Sequence, residues 1–284
     1  MLLAGLLAST APAAADDVPA LLRIGIVAGS AGASSISGLS EIREAFAAAT
    51  GIPVRIFPAR DLGALVSAQT SGRVQYAIYS AVGYAAAEAV CGCLEPLVAP
   101  VGQGGDYGVR AAIYAHTGSA ASIDEVAGRR IVAGPIMAVG PQLLGLERLA
   151  DAGAGDDVMH ANSMEDAEAR FLTGDAELLV GWEPAANDPA IVGSGTAAGL
   201  MSRGMQSGEF QLLWQSETVR YGPHVVRADL PETVKQSLRT FLTTLSAQSP
   251  RLYDFVEREH LGGFVRVSRE DYAMAAKIAQ LAAE

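Results

Sequence analysis

The chain has 284 residues, half of them hydrophobic, and carries 20 basic against 31 acidic residues for a formal net charge of −11. That balance, with no Lys/Arg cluster and no interleaving of basic and aromatic residues, argues against nucleic acid as a partner. Beyond the first residues no apolar run reaches the roughly 20 residues needed to span a membrane, so no direct membrane insertion is expected.

Residues 1–15, MLLAGLLASTAPAAA, have the apolar core and small-residue ending of a secretory signal peptide. An exported chain with two cysteines forms a disulfide by default. Next, LLRIGIVAG (21–29) reads as a strand and ISGLSEIREAFAAATG (36–51) as a helix closed by Gly51. PVRIFPA (53–59) is a second strand, DLGALVSAQTSG (61–72) a helix started by Asp61, and VQYAIYS (74–80) a third strand. This alternation predicts a mostly parallel sheet covered by helices.

The pattern then changes. LEPLVAPV (94–101) and VRAAIYAH (109–116) are strand-like and joined by a Gly-rich connector in which Asp106 and Tyr107 are candidates for bordering a hinge. Ser122 and Glu125 have capping-box spacing, and RRIVAG (129–134) starts a second strand and helix series. From Glu209 the chain has FQLLWQS, YGPHVVRADL and a long helical tail. The expected division is a first lobe over 16–115, a second over 116–213, and a return to the first lobe over 214–284 with C-terminal helices. A chain that leaves one lobe, builds another and returns has two hinge crossovers and a cleft.

The segments RIGIVAG, GRVQYAIYSAVGYAAAEAV, SIDEVAGRRIVAG, GPQLLGLERLADAG and YGPHVVRADLPETVKQSLRTFL together resemble the periplasmic phosphonate/phosphite-binding proteins of ABC transporters. The resemblance implies an α/β, two-lobed type II periplasmic binding protein fold with two hinge crossovers, located in the periplasm and closing on a small ligand. In that family Tyr79 and Ser80 match cleft-lining positions. A Ser-Thr-Ser-Gly run at a second-lobe helix start captures phosphonate there, with hydroxyls and unpaired N–H groups satisfying the oxyanion. The matching residues here are Met137, Ala138, Val139 and Gly140, so every hydroxyl is replaced. Each lost charge-assisted bond costs about 1 to 3 kcal/mol, which favours a less charged ligand unless the pocket recruits donors elsewhere.

The two cysteines form the segment Cys91-Gly92-Cys93. Gly92 makes a turn easy, so a Cys91–Cys93 disulfide is one reading. The loop it would close stabilises by only roughly 1.6 kcal/mol, which points to reactivity instead: a redox couple or a soft ligand site. His116, His160, His224 and His260 are scattered without ligand spacing, which disfavours a zinc site. Trivalent arsenic fits two thiols better, because arsenite is an uncharged triol that exchanges hydroxyls for sulfur. The combination of a phosphonate-binding frame, a Cys-Gly-Cys segment and a degraded Ser-Thr-Ser run resembles the exported arsenite-binding branch of the family, which informs a membrane sensor histidine kinase that controls arsenite oxidation.

That resemblance implies arsenite as ligand, Cys93 as main arsenic ligand, and Cys91 as second ligand or disulfide partner, in the interlobe cleft. The alternatives are the binding component of an ABC importer, whose partner is a permease carrying phosphonate, phosphite or a related oxyanion, and a thiol-disulfide redox protein. Trp182 and Glu183 end a predicted second-lobe strand, where ligands of α/β lobes gather, and are further cleft candidates together with Met137. No nucleophile elbow, zinc-protease helix motif or P-loop is present, so no enzyme activity and no cofactor are expected.

Overall fold

The computed structural model describes residues 18–28, 38–136, 140–155, 157–186 and 193–283. The expected signal peptide lies outside these residues. The first series forms β1 (Leu22–Val27), α1 (Leu39–Thr50), β2 (Val54–Ala59), α2 (Leu62–Thr70), β3 (Tyr76–Ile78), α3 (Ala81–Cys91) and β4 (Leu94–Pro100). The Asp61 signal operates as the sequence suggests. Asp61 accepts from Ala64 N–H at 2.7 Å to cap α2, and Ser80 Oγ accepts from Gly83 N–H at 3.1 Å to cap α3.

The second series forms β5 (Gly108–His116), β6 (Ile131–Ala133), α4 (Gln142–Asp151), β7 (Val158–His160), α5 (Met164–Leu172), β8 (Leu178–Pro184), α6 (Thr196–Ser202), β9 (Phe210–Gln215) and β10 (Val219–Arg220). The Ser122/Glu125 pair caps only a short 3₁₀ turn: Ser122 Oγ accepts from Asp124 N–H, and Glu125 reaches back to Ala121 N–H at 2.9 Å. The tail forms β11 (His224–Arg227), α7 (Glu232–Gln248), α8 (Pro250–Val256), β12 (Phe264–Arg266) and α9 (Ala273–Leu281).

Two sheets result. The first has the order β12-β4-β11-β3-β1-β2, and the second β10-β5-β8-β6-β7 with β9 also on β5. β1 runs parallel to β2 and β3, while β11 is antiparallel and inserted between β3 and β4, so the returning chain completes the first lobe. The expected boundaries at 115 and 213 move. β5 pairs antiparallel with β8 from Val109↔Pro184 to Ala115↔Leu178, and β9 and β10 both pair with β5. The first crossover is therefore 101–107 and the second 221–223. A continuous apolar run such as residues 111–115 marks a strand buried on both faces without naming its sheet.

Each lobe has its own core. On one face of the first sheet Leu22, Ile24, Ile42 and Phe46 meet Leu238 and Leu242. These last two belong to the stripe Val234, Leu238, Leu242 and Leu245 of α7, which recurs at helical spacing. His224 of β11 is buried in this core, with Nδ1 bonded to the Tyr76 hydroxyl and Nε2 without a hydrogen-bond partner. Burial lowers its pKa to about 4, opposed by the nearby Glu257 charge.

The unfolded chain, with an ordinary histidine near 6.5, binds this proton more readily than the folded one. Stability from His224 is thus complete above about pH 6.5 and is lost as pH falls toward 4. His224→Gln, which keeps an acceptor for Tyr76, is expected to flatten the pH dependence of the urea midpoint in that window relative to the parent protein.

Candidate functional site

The crossovers are bonded to each other. Tyr221 N–H donates to Tyr107 O at 3.3 Å, Tyr107 N–H to Ala185 O at 2.9 Å, and the Tyr221 hydroxyl to the buried Asp106 carboxylate. The Arg220 guanidinium lies 4.9 Å from the Tyr107 ring centroid and pairs with Asp271 at 3.5 Å. Asp106 and Tyr107 thus border the hinge, as the Gly-rich connector suggested. Tyr221, Arg220 and Asp271 join them from segments with no local signature in the sequence.

Backbone passes backbone closely here. A Cβ on Gly222 would lie 2.0 Å from Tyr79 O, and one on Gly262 would lie 2.3 Å from Gly102 O. Tyr79 N–H donates to Pro223 O at 3.2 Å, so the end of β3 is tied directly to the second crossover.

The parallel strands β1 and β3 of one lobe, and β6, β7 and β8 of the other, have their carboxyl ends at this junction. Ligands of open α/β sheets collect at such ends. In the first lobe that end presents Tyr79 and Ser80. Tyr79 is buried in an apolar cluster that also contains Ala81 and Tyr84 of the first lobe and Ala111, Leu144 and Val219 of the second. Its hydroxyl is buried without a hydrogen-bond partner, and desolvation raises its pKa. Ser80 is exposed at the first turn of α3; its oxygen is used as a cap, which leaves the hydroxyl proton free to donate outward.

In the second lobe the corresponding feature is the start of α4, where Pro141 precedes the helix and no side chain caps it. A cavity of about 310 Å³ opens there, lined by Val109, Pro135, Pro141, Gln142, Met164 and Trp182. Among the described residues no charged side chain lines it. The Gln142 amide donates to Pro135 O at 2.8 Å, fixing the loop before the helix. Gly140 also lines the cavity; Met137, Ala138 and Val139, expected as ligand contacts, lie outside the described residues. Pro135, Val109, Gln142 and Met164 were not singled out from the sequence, although Pro135 and Gln142 flank the run that matches the oxyanion motif.

Trp182 and Glu183 separate, because successive residues of a strand face opposite sides of the sheet. Trp182 lines the cavity, whereas Glu183 accepts from the Tyr114 hydroxyl at 2.7 Å and from Ala197 N–H at 2.8 Å. Desolvation raises the Glu183 carboxyl above its ordinary range. Its hydrogen bonds assign it to the start of α6 and not to the cleft, which corrects the expectation for this residue.

The cysteines are corrected more fundamentally. Cys91 and Cys93 are joined in a disulfide with Cα atoms 5.0 Å apart. Cys91 is the last residue of α3, and Gly92, at φ 59°, is its left-handed cap. A helix of 11 residues is about 16 Å long. Because α3 starts at the cleft end of β3 and delivers the chain to the start of β4, which lies parallel to β3, the disulfide is at the opposite edge of the first sheet. Cys93 and Cys91 are therefore neither free thiols nor neighbours of the cavity, and the arsenic-ligating pair expected in the cleft is not formed. Among the described residues no group of three or more His, Cys, Asp or Glu is placed to hold a metal ion.

The sequence profile of a family described as "ABC transporter, phosphonate, periplasmic substrate-binding protein" matches residues 24–272. The chain belongs to this family. None of the curated proteins compared matches it. Among solved structures, XAC2383 from Xanthomonas citri bound to ATP is 16% identical with a TM-score of 0.58, covering 93% of this chain and 98% of that one. A binding protein component of an ABC phosphonate transporter from Pseudomonas aeruginosa is 14% identical with a TM-score of 0.50, over 94% and 87%. Transferrin 1 from Manduca sexta is 11% identical with a TM-score of 0.61, covering 93% of this chain and 46% of its own. At these identities the likeness is one of fold, and the fold is that of the type II periplasmic binding proteins. Among the described residues no helix is long and apolar enough to cross a membrane.

Gly222→Ala is expected to force the second crossover away from Tyr79. Overpacking of this kind costs about 1 to 3 kcal/mol, or roughly 2 to 5 °C in Tm for a protein of this size. Thermal unfolding followed by circular dichroism checks it.

Proposed function

We propose that the protein is a non-enzymatic periplasmic solute-binding protein that closes its lobes on a small, weakly charged solute bearing an apolar group, and presents it to an ABC permease. The carrying observation is the cavity at the start of α4, whose described walls include Val109, Pro135, Met164 and Trp182. Apolar walls suit a substituent, at about 0.8 kcal/mol for each buried methylene.

A doubly charged head group fits poorly. It would need cationic or hydroxyl partners to offset desolvation, and the described lining offers no charged side chain. Met137, Ala138 and Val139 contribute no side-chain donor by their chemistry. Ser80, at the carboxyl end of β3 in the opposing lobe, is a donor able to meet the solute on closure. A sensor histidine kinase as receiver is the other route by which a closed form could be read. A ligand drives either one only by preferring the closed lobes.

The test is calorimetric titration of the purified protein with an alkylphosphonate, phosphite, phosphate and arsenite, with tryptophan fluorescence in parallel. The alkylphosphonate is expected to bind at least roughly fourfold tighter than phosphate, the value of one buried methylene, and Trp182→Ala is expected to weaken it roughly tenfold. Phosphate binding as tightly as the alkylphosphonate, with no effect of Trp182→Ala, would overturn the reading. Arsenite heat that requires prior reduction of the protein would return the thiols to ligand binding.

A further inference from the structure

The solute cleft leaves the Cys91–Cys93 disulfide without a role, and its surroundings differ from those of a structural bridge. We propose that it is a thiol-disulfide exchange site on the outer edge of the first lobe, whose partner is a dithiol protein, with Cys91 the attacked sulfur and Cys93 the leaving thiolate.

Access distinguishes the two sulfurs. Cys91 and Gly92 are exposed, whereas Cys93 is half-buried against the apolar cluster below α3. An incoming thiolate reaches Cys91 and expels Cys93. Charge points the same way. The Arg227 Nη1 lies 3.7 Å from Cys93 Sγ, and a neighbouring guanidinium favours the thiolate and makes its sulfur the better leaving group. Arg227 is held in place by Gln69 O and Thr70 O at 3.0 and 3.1 Å and by Asp229 at 2.7 Å. Cys91, at the C-terminus of α3, sits at the negative end of the helix dipole, which opposes the charge stabilisation its sulfur receives from the Cys93 N–H at 3.2 Å.

The local structure does not depend on the bridge. Gly92 N–H donates to Glu88 O at 2.7 Å, Leu94 N–H to Glu88 Oε2 at 2.8 Å, Arg269 to Leu94 O at 2.7 Å, and Ala228 N–H to Cys93 O at 2.8 Å. With these bonds intact, opening so small a loop leaves the fold in place. Val90, next to the attacked sulfur and 66% exposed, supplies an apolar contact for a partner.

The exchange balances as follows. One thiolate of the dithiol attacks Cys91 Sγ, the Cys91–Cys93 bond breaks, and its electron pair leaves on Cys93, which takes up a proton. The second thiol, deprotonated, attacks the mixed disulfide on the partner's own sulfur, and Cys91 leaves and is protonated. Two electrons and two protons pass from the dithiol to the protein, and the dithiol becomes a disulfide.

The test treats the full chain with dithiothreitol under native conditions, quenches with an alkylating reagent, and reads mass while circular dichroism reports folding. Complete reduction of the folded protein is expected. Arg227→Gln should slow it roughly threefold by removing the cation beside the leaving sulfur, Arg227→Lys should restore the rate, and Arg269→Gln, which removes a guanidinium bonded to Gly92 O, Leu94 O and the Glu88 carboxylate but to neither sulfur, should change it less than Arg227→Gln. Reduction only on unfolding, or a rate indifferent to Arg227, overturns the proposal. Independently of any Arg227 variant, glutathione mixed disulfide trapped on the parent protein should map to Cys91; its appearance on Cys93 overturns the assignment.

Discussion

At Gly222 the second crossover passes so near the end of β3 that a single added carbon would lie 2.0 Å from the Tyr79 carbonyl oxygen. The hinge, the cleft and the placement of both lobes follow from that approach. It brings Pro223 O to the Tyr79 N–H, which inserts β11 between β3 and β4 and makes the first sheet depend on residues more than a hundred positions away. It also sets Tyr221 against Asp106 on the first crossover, so the two crossovers are tied to each other. The apolar cluster around Tyr79, Leu144 and Val219 packs behind this junction and draws on both lobes.

Helix starts converge on the cleft because each helix follows the carboxyl end of a parallel strand, and those ends lie there. The same geometry serves many oxyanion sites through backbone N–H groups. What varies is the side-chain shell, and here it is built from proline, valine, methionine and tryptophan around the start of α4. Glu183, one residue from Trp182, shows how sharply a strand sorts its side chains: its carboxylate is spent on α6 while the indole faces the cavity.

The same connection rule sends the disulfide away from the cleft. A helix that begins at the carboxyl end of one strand must end near the amino end of the next parallel strand, and the Cys-Gly-Cys segment sits at that second turn. Its neighbours are Arg227 from the returning strand and Arg269 from the tail, both brought there only when the chain closes the first sheet.

Much of this molecule was legible in its sequence. The strand and helix alternation, the cap at Asp61, the helical tail and the hinge position of Asp106 and Tyr107 are local or periodic signals, and each acts over a few residues through backbone geometry. The loss of donors across residues 137–139 was likewise readable from residue chemistry alone. Sheet membership of β5, the opposite facing of Trp182 and Glu183, and the far edge reached by Cys91 and Cys93 were decided only in three dimensions. Apolar spacing records that a strand is buried and where a helix turns, but which strand it pairs with and which end of the sheet a helix delivers are set by long-range hydrogen bonds and packing, which no short stretch of chain encodes.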